Sequence, residues 1–305
     1  MRHRFLTADV FTDSAFGGNA VAVFPDARAI PETQMQRVAR EFNLSETVFV
    51  LPPEDSANTR ALRIFTPAAE VPFAGHPTVG TAFVLAAIGD VVLAGETTEI
   101  VFEEGVGPVP VAIRAAHGQP VFSQLSAAQL PEPGPEPPAA ADIAAAISLD
   151  AADLLGGGHG AEGWSCGLPF LFVALKDRNP VGRMKIDPAA WDKAIADYPA
   201  TGVFAFAFDP ELDGSDLHAR MFAPAFGVAE DPATGSAAAA LAGYLGARDD
   251  MADGTLSFVI EQGFEMGRPS LVEMELDKAG GAIAAVRVGG ASVLVSEGEM
   301  EIPEG

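Results

Sequence analysis

Cysteine is nearly absent from this chain: of its 305 residues only Cys166 carries a thiol. A single thiol excludes an internal disulfide and any site that needs two thiols. Cations are scarce as well, 18 Lys and Arg against 42 Asp and Glu, for a net charge of −24. That field repels phosphate backbones and anionic lipid, so neither nucleic acid nor a membrane is expected as a partner. The acidic residues are scattered rather than gathered in a tail, and read as solvated faces. Long apolar runs are missing too. The stretch Ala237–Leu245 falls well short of the roughly 18–20 residues a membrane helix requires. The N-terminal MRHRFLTADVF has basic residues but no apolar core of the kind a signal peptide carries, so a cytoplasmic protein is expected.

What the chain has instead is material for cores. Apolar residues make up 49% of it, and its length is about twice that of a usual domain. An internal repeat agrees with two domains. RIFTPAAEVPFAGHPTVGTAFVLA, from Arg63 to Ala86, and RMFAPAFGVAEDPATGSAAAALAGYL, from Arg220 to Leu245, share R-x-F-x-P, a spacer, and E-x-P-x-x-G. The later copy is three residues longer in its spacer. A single duplication of this length points to two similar domains rather than a solenoid.

Alternating and apolar runs predict strands at 5–11, 20–24, 47–51, 60–66, 99–103 and 109–114, and the glycine-rich DSAFGGN, 13–19, turns the first two into a hairpin. Met35, Val38, Ala39 and Phe42 are spaced as one face of a helix. A second half is expected to open with a strand at 121–124. A proline-rich loop follows at 131–138, then a helix at 139–147, strands at 164–166, 169–175, 202–208 and 217–222, a helix at 189–198, and strands at 255–262, 271–276, 282–288 and 292–302. The repeat helices, which begin near Pro77 and Gly235, are apolar on nearly every face, the second most completely, and such a helix must be surrounded by protein. An α+β fold is expected: two pseudo-symmetric domains, each a curved, mostly antiparallel sheet rolled around a central apolar helix. The domains are expected at 1–116 with a final strand from 291–305, and at 117–290. A doubly wound sheet is disfavoured, because regular helices do not separate the strands.

Each repeat puts a glycine and a small polar or imidazole residue, Gly75-His76 and Gly235-Ser236, at the start of its helix. Helix N-termini present unpaired N–H groups and about half a positive charge, a natural seat for a carboxylate. Read alone, the glycines could merely allow close packing, Asp231 could be a turn or capping residue, and His76 a core histidine. Glu46 heads the strand Thr47–Leu51, where apolar neighbours would raise its pKa toward the range of a general acid/base. Read alone, a carboxylate at a strand start is more often simply a surface residue. His3, His117, His159 and His218 lack metal-ligand spacing, and Gly156–Gly158 lacks the context of a nucleotide loop.

Taken together, DVFTDSAFGGNAVAVF from Asp9, NLSETVFV from Asn43, FTPAAEVPFAGHPTVGTA from Phe65, EDPATGSAAAALAGYL from Glu230 and QGFEMGRPS from Gln262 resemble the PhzF-like phenazine-biosynthesis isomerase family, whose fold is that of diaminopimelate epimerase. The resemblance covers most of the chain. It implies an active-site cleft between two domains, commonly a homodimer, and a cofactor-free, metal-free proton shift on a small carboxylate-bearing substrate. By that resemblance Glu46 is the general acid/base, His76 and Asp231 are its catalytic partners, and Asn19, Gly75, Gly235 and Ser236 bind substrate. The family's proline after the hairpin asparagine is replaced here by Ala20. The two opposed cysteines of the epimerase branch are missing, which favours isomerisation over two-base racemisation. Specificity is expected from loops at 15–18, 156–163 and 224–229. The alternative is a catalytically silent protein that binds small carboxylates on the same fold.

Overall fold

The computed structural model describes residues 1–200, 202–224, 227–248 and 251–304. The chain divides into two compact units, Met1–Ala128 with Val288–Gly305, and Gln129–Arg287. The first holds eight strands in chain order, β1 (Arg2–Val10), β2 (Asn19–Phe24), β3 (Glu46–Leu51), β4 (Arg60–Phe65), β5 (Glu70–Val71), β6 (Thr97–Glu104), β7 (Gly107–Ala116) and β8 (Gln119–Ser126), together with the C-terminal strand Ser292–Glu301. The C-terminal strand pairs with β1, β1 with β2, β3 with β4, β6 with β7 and β7 with β8, all antiparallel. Two parallel joints interrupt this pattern, β2 with β3 and β4 with β6. Each parallel joint needs a crossover, supplied by α1 (Glu32–Phe42) and α2 (Gly75–Ala87) respectively.

Those two helices are built differently. α1 is amphipathic and buries Met35, Val38 and Ala39 against Phe24, Phe49 and Phe65. α2 is buried at every residue from Gly75 to Ala86, and it touches β1, β2, β3, β7, β8 and the C-terminal strand. A helix in contact with both ends of one strand order is a helix around which the sheet has rolled. Each fully buried large side chain on it, such as Val84 or Leu85, contributes about 1.5–3 kcal/mol relative to exposure.

The second unit repeats the plan. β9 (Glu132–Pro133), β10 (Glu162–Ser165), β11 (Pro169–Leu175), β12 (Gly202–Ala207), β13 (Leu217–Ala223), β14 (Val228–Asp231), β15 (Gly254–Gln262) and β16 (Ser270–Ala279) are followed by β17 (Ala282–Gly290), which runs into the first unit at Val288. Here too antiparallel pairs are interrupted by two parallel joints, β11 with β12 and β13 with β15. Helices α3 (Ala140–Ala146), α4 (Arg178–Arg183) and α5 (Pro188–Ala194) lie on the outer face, and α6 (Gly235–Gly246) is the inner helix. α6 packs on β9, β10, β11 and β16.

The expected strand at 121–124 does not open the second half. It is part of β8 and pairs with β7, so the first unit runs to Ala128 and resumes at Val288 rather than ending at 116 and resuming at 291. The helix expected over 189–198 stops at Ala194, and the short α4 has no counterpart among the sequence expectations. Its sequence RNPVGR has no apolar period to read; a cap starts it, with Asp177 accepting from the Asn179 N–H at 2.9 Å.

Candidate functional site

In the first unit three elements bring the expected residues together. α1 ends at Asn43, whose left-handed backbone, φ 51° and ψ 31°, stops the helix while its N–H still reaches Ala39 O. The chain then turns into β3, of which Glu46 is the first residue. The parallel joint sets Glu46 beside Val21, one residue beyond Ala20. The backbone of Ala20 hydrogen-bonds the imidazole of His76 on the first turn of α2. Asn19, which heads β2, is almost fully buried.

The Oε2 atom of Glu46 lies 3.2 Å from Nε2 of His76. His76 is 5% exposed, and burial lowers its pKa to about 3, against a small upward pull from the Ala20 backbone. The ring is therefore neutral at physiological pH. Nε2 faces Glu46, so Nδ1 serves Ala20, and Nε2 presents a lone pair to the carboxyl. Such a contact closes as a hydrogen bond when Glu46 is in its acid form, with the carboxyl as donor.

The second unit holds Asp231, Gly235 and Ser236. Asp231 ends β14 rather than capping a helix; the N-cap of α6 is Thr234. Asp231 Oδ2 accepts from Thr234 Oγ1 at 2.6 Å. Gln262, at the end of β15, fastens this turn at three points: Nε2 donates to Asp231 O at 2.7 Å and to Thr234 Oγ1 at 2.9 Å, and Oε1 accepts from Thr234 N at 3.1 Å. Gly263 then approaches the turn so closely that a Cβ there would meet Pro232 O at 2.6 Å. Gly235 and Ser236 open α6, the former buried and the latter partly exposed. Neither Ala74 nor Thr234, the two N-cap residues, closes its helix with a side-chain hydrogen bond.

The structure thus gathers Asn19, Glu46, Gly75 and His76 in one unit, and Asp231, Gly235 and Ser236 in the other. Of the expected specificity loop at 224–229, residues 225 and 226 lie outside the described residues.

Two features were not legible in the chain. His218 is 1% exposed and lies between two carboxylates, Nδ1 at 2.7 Å from Glu261 Oε2 and Nε2 at 3.0 Å from Glu265 Oε1. Burial opposes charge on the ring, but the bonds to Glu265 and Glu261 outweigh it and raise the pKa. Glu261, in turn, accepts from the backbone N–H groups of Glu211 and Leu212, so the cluster clamps a loop. The alternation of β13 and β15 hints at which residues face inward but not at this pairing. The second feature is Glu104, buried at the end of β6. Cys166 donates to Gln129 O at 2.9 Å, and burial pushes its pKa up to about 11, which keeps it a thiol. Among the described residues no group of three or more His, Cys, Asp or Glu is arranged to hold a metal ion, and no helix is long and apolar enough to cross a membrane.

Comparison with known proteins agrees with this architecture. A family model described as "Phenazine biosynthesis-like protein" matches residues 8–298. An uncharacterized isomerase of Mesorhizobium japonicum is 40% identical, with 98% of each chain covered. The trans-2,3-dihydro-3-hydroxyanthranilate isomerase of Pseudomonas aeruginosa is 36% identical over 97% of this chain and 98% of its own. Among solved structures, a phenazine biosynthesis protein of the PhzF family from Bacillus anthracis superposes with a TM-score of 0.88 at 25% identity, covering 99% of this chain and 100% of the other. A hydroxyproline epimerase from Agrobacterium vitis shares the fold, with a TM-score of 0.65 at 16% identity.

Proposed function

We propose, from the premise that this chain belongs to the PhzC-PhzF family of phenazine biosynthesis-like proteins and is an isomerase, that it moves a proton within a small carboxylate-bearing substrate with Glu46 as general acid/base. The observation that carries the reading is the 3.2 Å approach of Glu46 to a buried, neutral His76. As a carboxylate, Glu46 faces a lone pair and takes a proton from carbon readily; as an acid it is held by Nε2 until it returns that proton to another atom. Transfer of this kind is worth about 10²–10⁴ in rate. His76 positions the carboxyl in its acid form, and Asp231 is the corresponding polar group of the second unit. Asn19 and Gly75 in the first unit, and Gly235 and Ser236 in the second, are the substrate-binding residues of this reading, each helix start offering N–H dipoles to an anionic group such as a carboxylate or an enolate. No cofactor is required in this scheme.

The substrate of the Pseudomonas aeruginosa relative, trans-2,3-dihydro-3-hydroxyanthranilate, is the first compound to test. It bears the carboxylate and the mobile proton the scheme needs. The experiment compares wild type with Glu46→Gln in deuterated water, following label into substrate and product by mass spectrometry. The variant is expected to keep ligand binding, seen as a thermal shift, and to lose turnover and exchange. Turnover by Glu46→Gln at the wild-type rate refutes the assignment.

A further inference from the structure

Glu104 and Gln262 occupy matching places: each is the last residue of the strand that follows the inner helix, β6 or β15, and each precedes a glycine. The glycines do the same job. A Cβ on Gly105 would meet Pro72 Cα at 2.8 Å, as one on Gly263 would meet Pro232 O at 2.6 Å, and Pro72 and Pro232 are the same proline of the repeated E-x-P-x-x-G. In the second unit the residue before that glycine is an amide, with a donor and an acceptor to fasten the turn. In the first it is a carboxyl, 8% exposed, that reaches Thr78 on α2.

A count of protons decides the state of that carboxyl. Thr78 Oγ1 lies 2.8 Å from Ala74 O and 2.7 Å from Glu104 Oε1. Two oxygen–oxygen contacts this short require two protons, and the threonine hydroxyl has one. The other belongs to Glu104, whose Oε2 has no hydrogen-bond partner among the described residues. We infer that Glu104 is a positioning residue that works as a neutral acid, taking the part of the amide in the second unit: it fastens Thr78 to Ala74 and so sets the first turn of α2, which presents His76 to Glu46. The inference rests on the reading of Glu46 and His76 given above.

Charged and titratable groups on the neighbouring elements have partners of their own. Arg63 on β4 binds Glu70 of β5 and Glu32 of α1. Arg60, also on β4, reaches the Thr59 and Asp90 carbonyls. Glu103 accepts from the turn Glu54–Asn58, Arg114 of β7 lies over Phe122, and His76 faces Glu46. Among the described residues no cation is placed to hold a carboxylate there, and burial raises the Glu104 pKa to about 8, opposed by the bond that Thr78 donates once the Glu104 proton has left.

A folded-state pKa above the ordinary carboxyl value means that the folded chain keeps a proton the unfolded chain has lost. Stability from this group is full below about pH 4.5, falls as pH rises, and levels off beyond about pH 8. The test uses the full chain as wild type, Glu104→Gln and Glu104→Ala. Thermal unfolding from pH 5 to 9.5 is expected to show the Tm of Glu104→Gln gaining on wild type as pH rises to about 8 and gaining no further above it. In parallel, ¹⁵N NMR of the His76 ring is expected to show wild-type signals shifting with a midpoint near pH 8, Glu104→Gln signals fixed at the wild-type neutral-pH values, and Glu104→Ala signals displaced at every pH. Ring signals of wild type and Glu104→Gln that move alike overturn the inference. So do ring signals that stay fixed in wild type while only Tm changes, which would make Glu104 a packing residue. Neither readout needs the substrate, so loss of the Glu46 assignment leaves this result standing.

Discussion

In the first unit Arg63 binds Glu70 through Nε at 2.7 Å and a terminal nitrogen at 2.8 Å; in the second, Arg220 binds Glu230 through the same atoms at the same distances. The repeated motif has thus built one ion pair twice, in different solvents. Arg63 and Glu70 are 27% and 43% exposed, whereas Arg220 and Glu230 are 9% and 17% exposed. Arg220 also donates to Val181 O and Met184 O, both at 3.1 Å, at the C-terminal end of α4, where helix carbonyls lack partners. Chemistry divides in the opposite direction. The first unit carries Glu46, His76 and Glu104 around its helix start, whereas the second fastens its turn with Gln262, Thr234 and Ser270. One ion-pair geometry thus sits in two different solvents, beside turns fastened by different side chains.

The largest effect that separates the two is expected from Glu46→Gln: about 10²–10⁴-fold lower turnover, equivalent to about 3–5.5 kcal/mol of barrier, with little change in Tm. Next comes Arg220→Ala. It strands Glu230 and the α4 carbonyls in a partly dry site and is expected to cost about 3–5 kcal/mol in urea unfolding. A cost below 1 kcal/mol there would show that burial does not distinguish the pairs. Gln262→Leu removes three hydrogen bonds from the Asp231–Thr234 turn, and about 1–3 kcal/mol is expected by the same measurement. Ligand affinity, read as a thermal shift, is expected to fall with it. Smallest is Arg63→Ala, for which about 0–1 kcal/mol is expected, since its partner returns to water; a double-mutant cycle with Glu70→Ala measures the pair directly.

Much of this was legible because periodicity and repetition report burial. The inner helices, their glycine starts, the strand headed by Glu46 and the amphipathic α1 all follow from patterns within some ten residues. The domain boundary did not follow, because β8 is assigned by its partner β7 and not by its own sequence. Nor did the role of Asp231 as the end of a strand, since Asp-Pro reads equally well as a turn or a cap. His218 between Glu261 and Glu265, like Thr78 under Glu104, joins residues 26 to 47 positions apart, and nothing in local sequence encodes such a meeting. α4 escaped notice because a side-chain cap and a distant arginine hold it, in place of a propensity of its own.

The closing of the first sheet has a consequence for how the protein is made. β1 leaves the ribosome well before Ser292–Glu301, yet the two pair along the whole length of β1. Until then the backbone of Arg2–Val10 is an open edge, able to pair with the wrong chain. The wrapping of α2 waits for the same event, since the C-terminal strand is among its neighbours. The first unit is therefore finished only after the second has been made, and the pairing of Arg2 with Glu301 joins residues 299 positions apart (301 − 2), the kind of contact that makes folding slow.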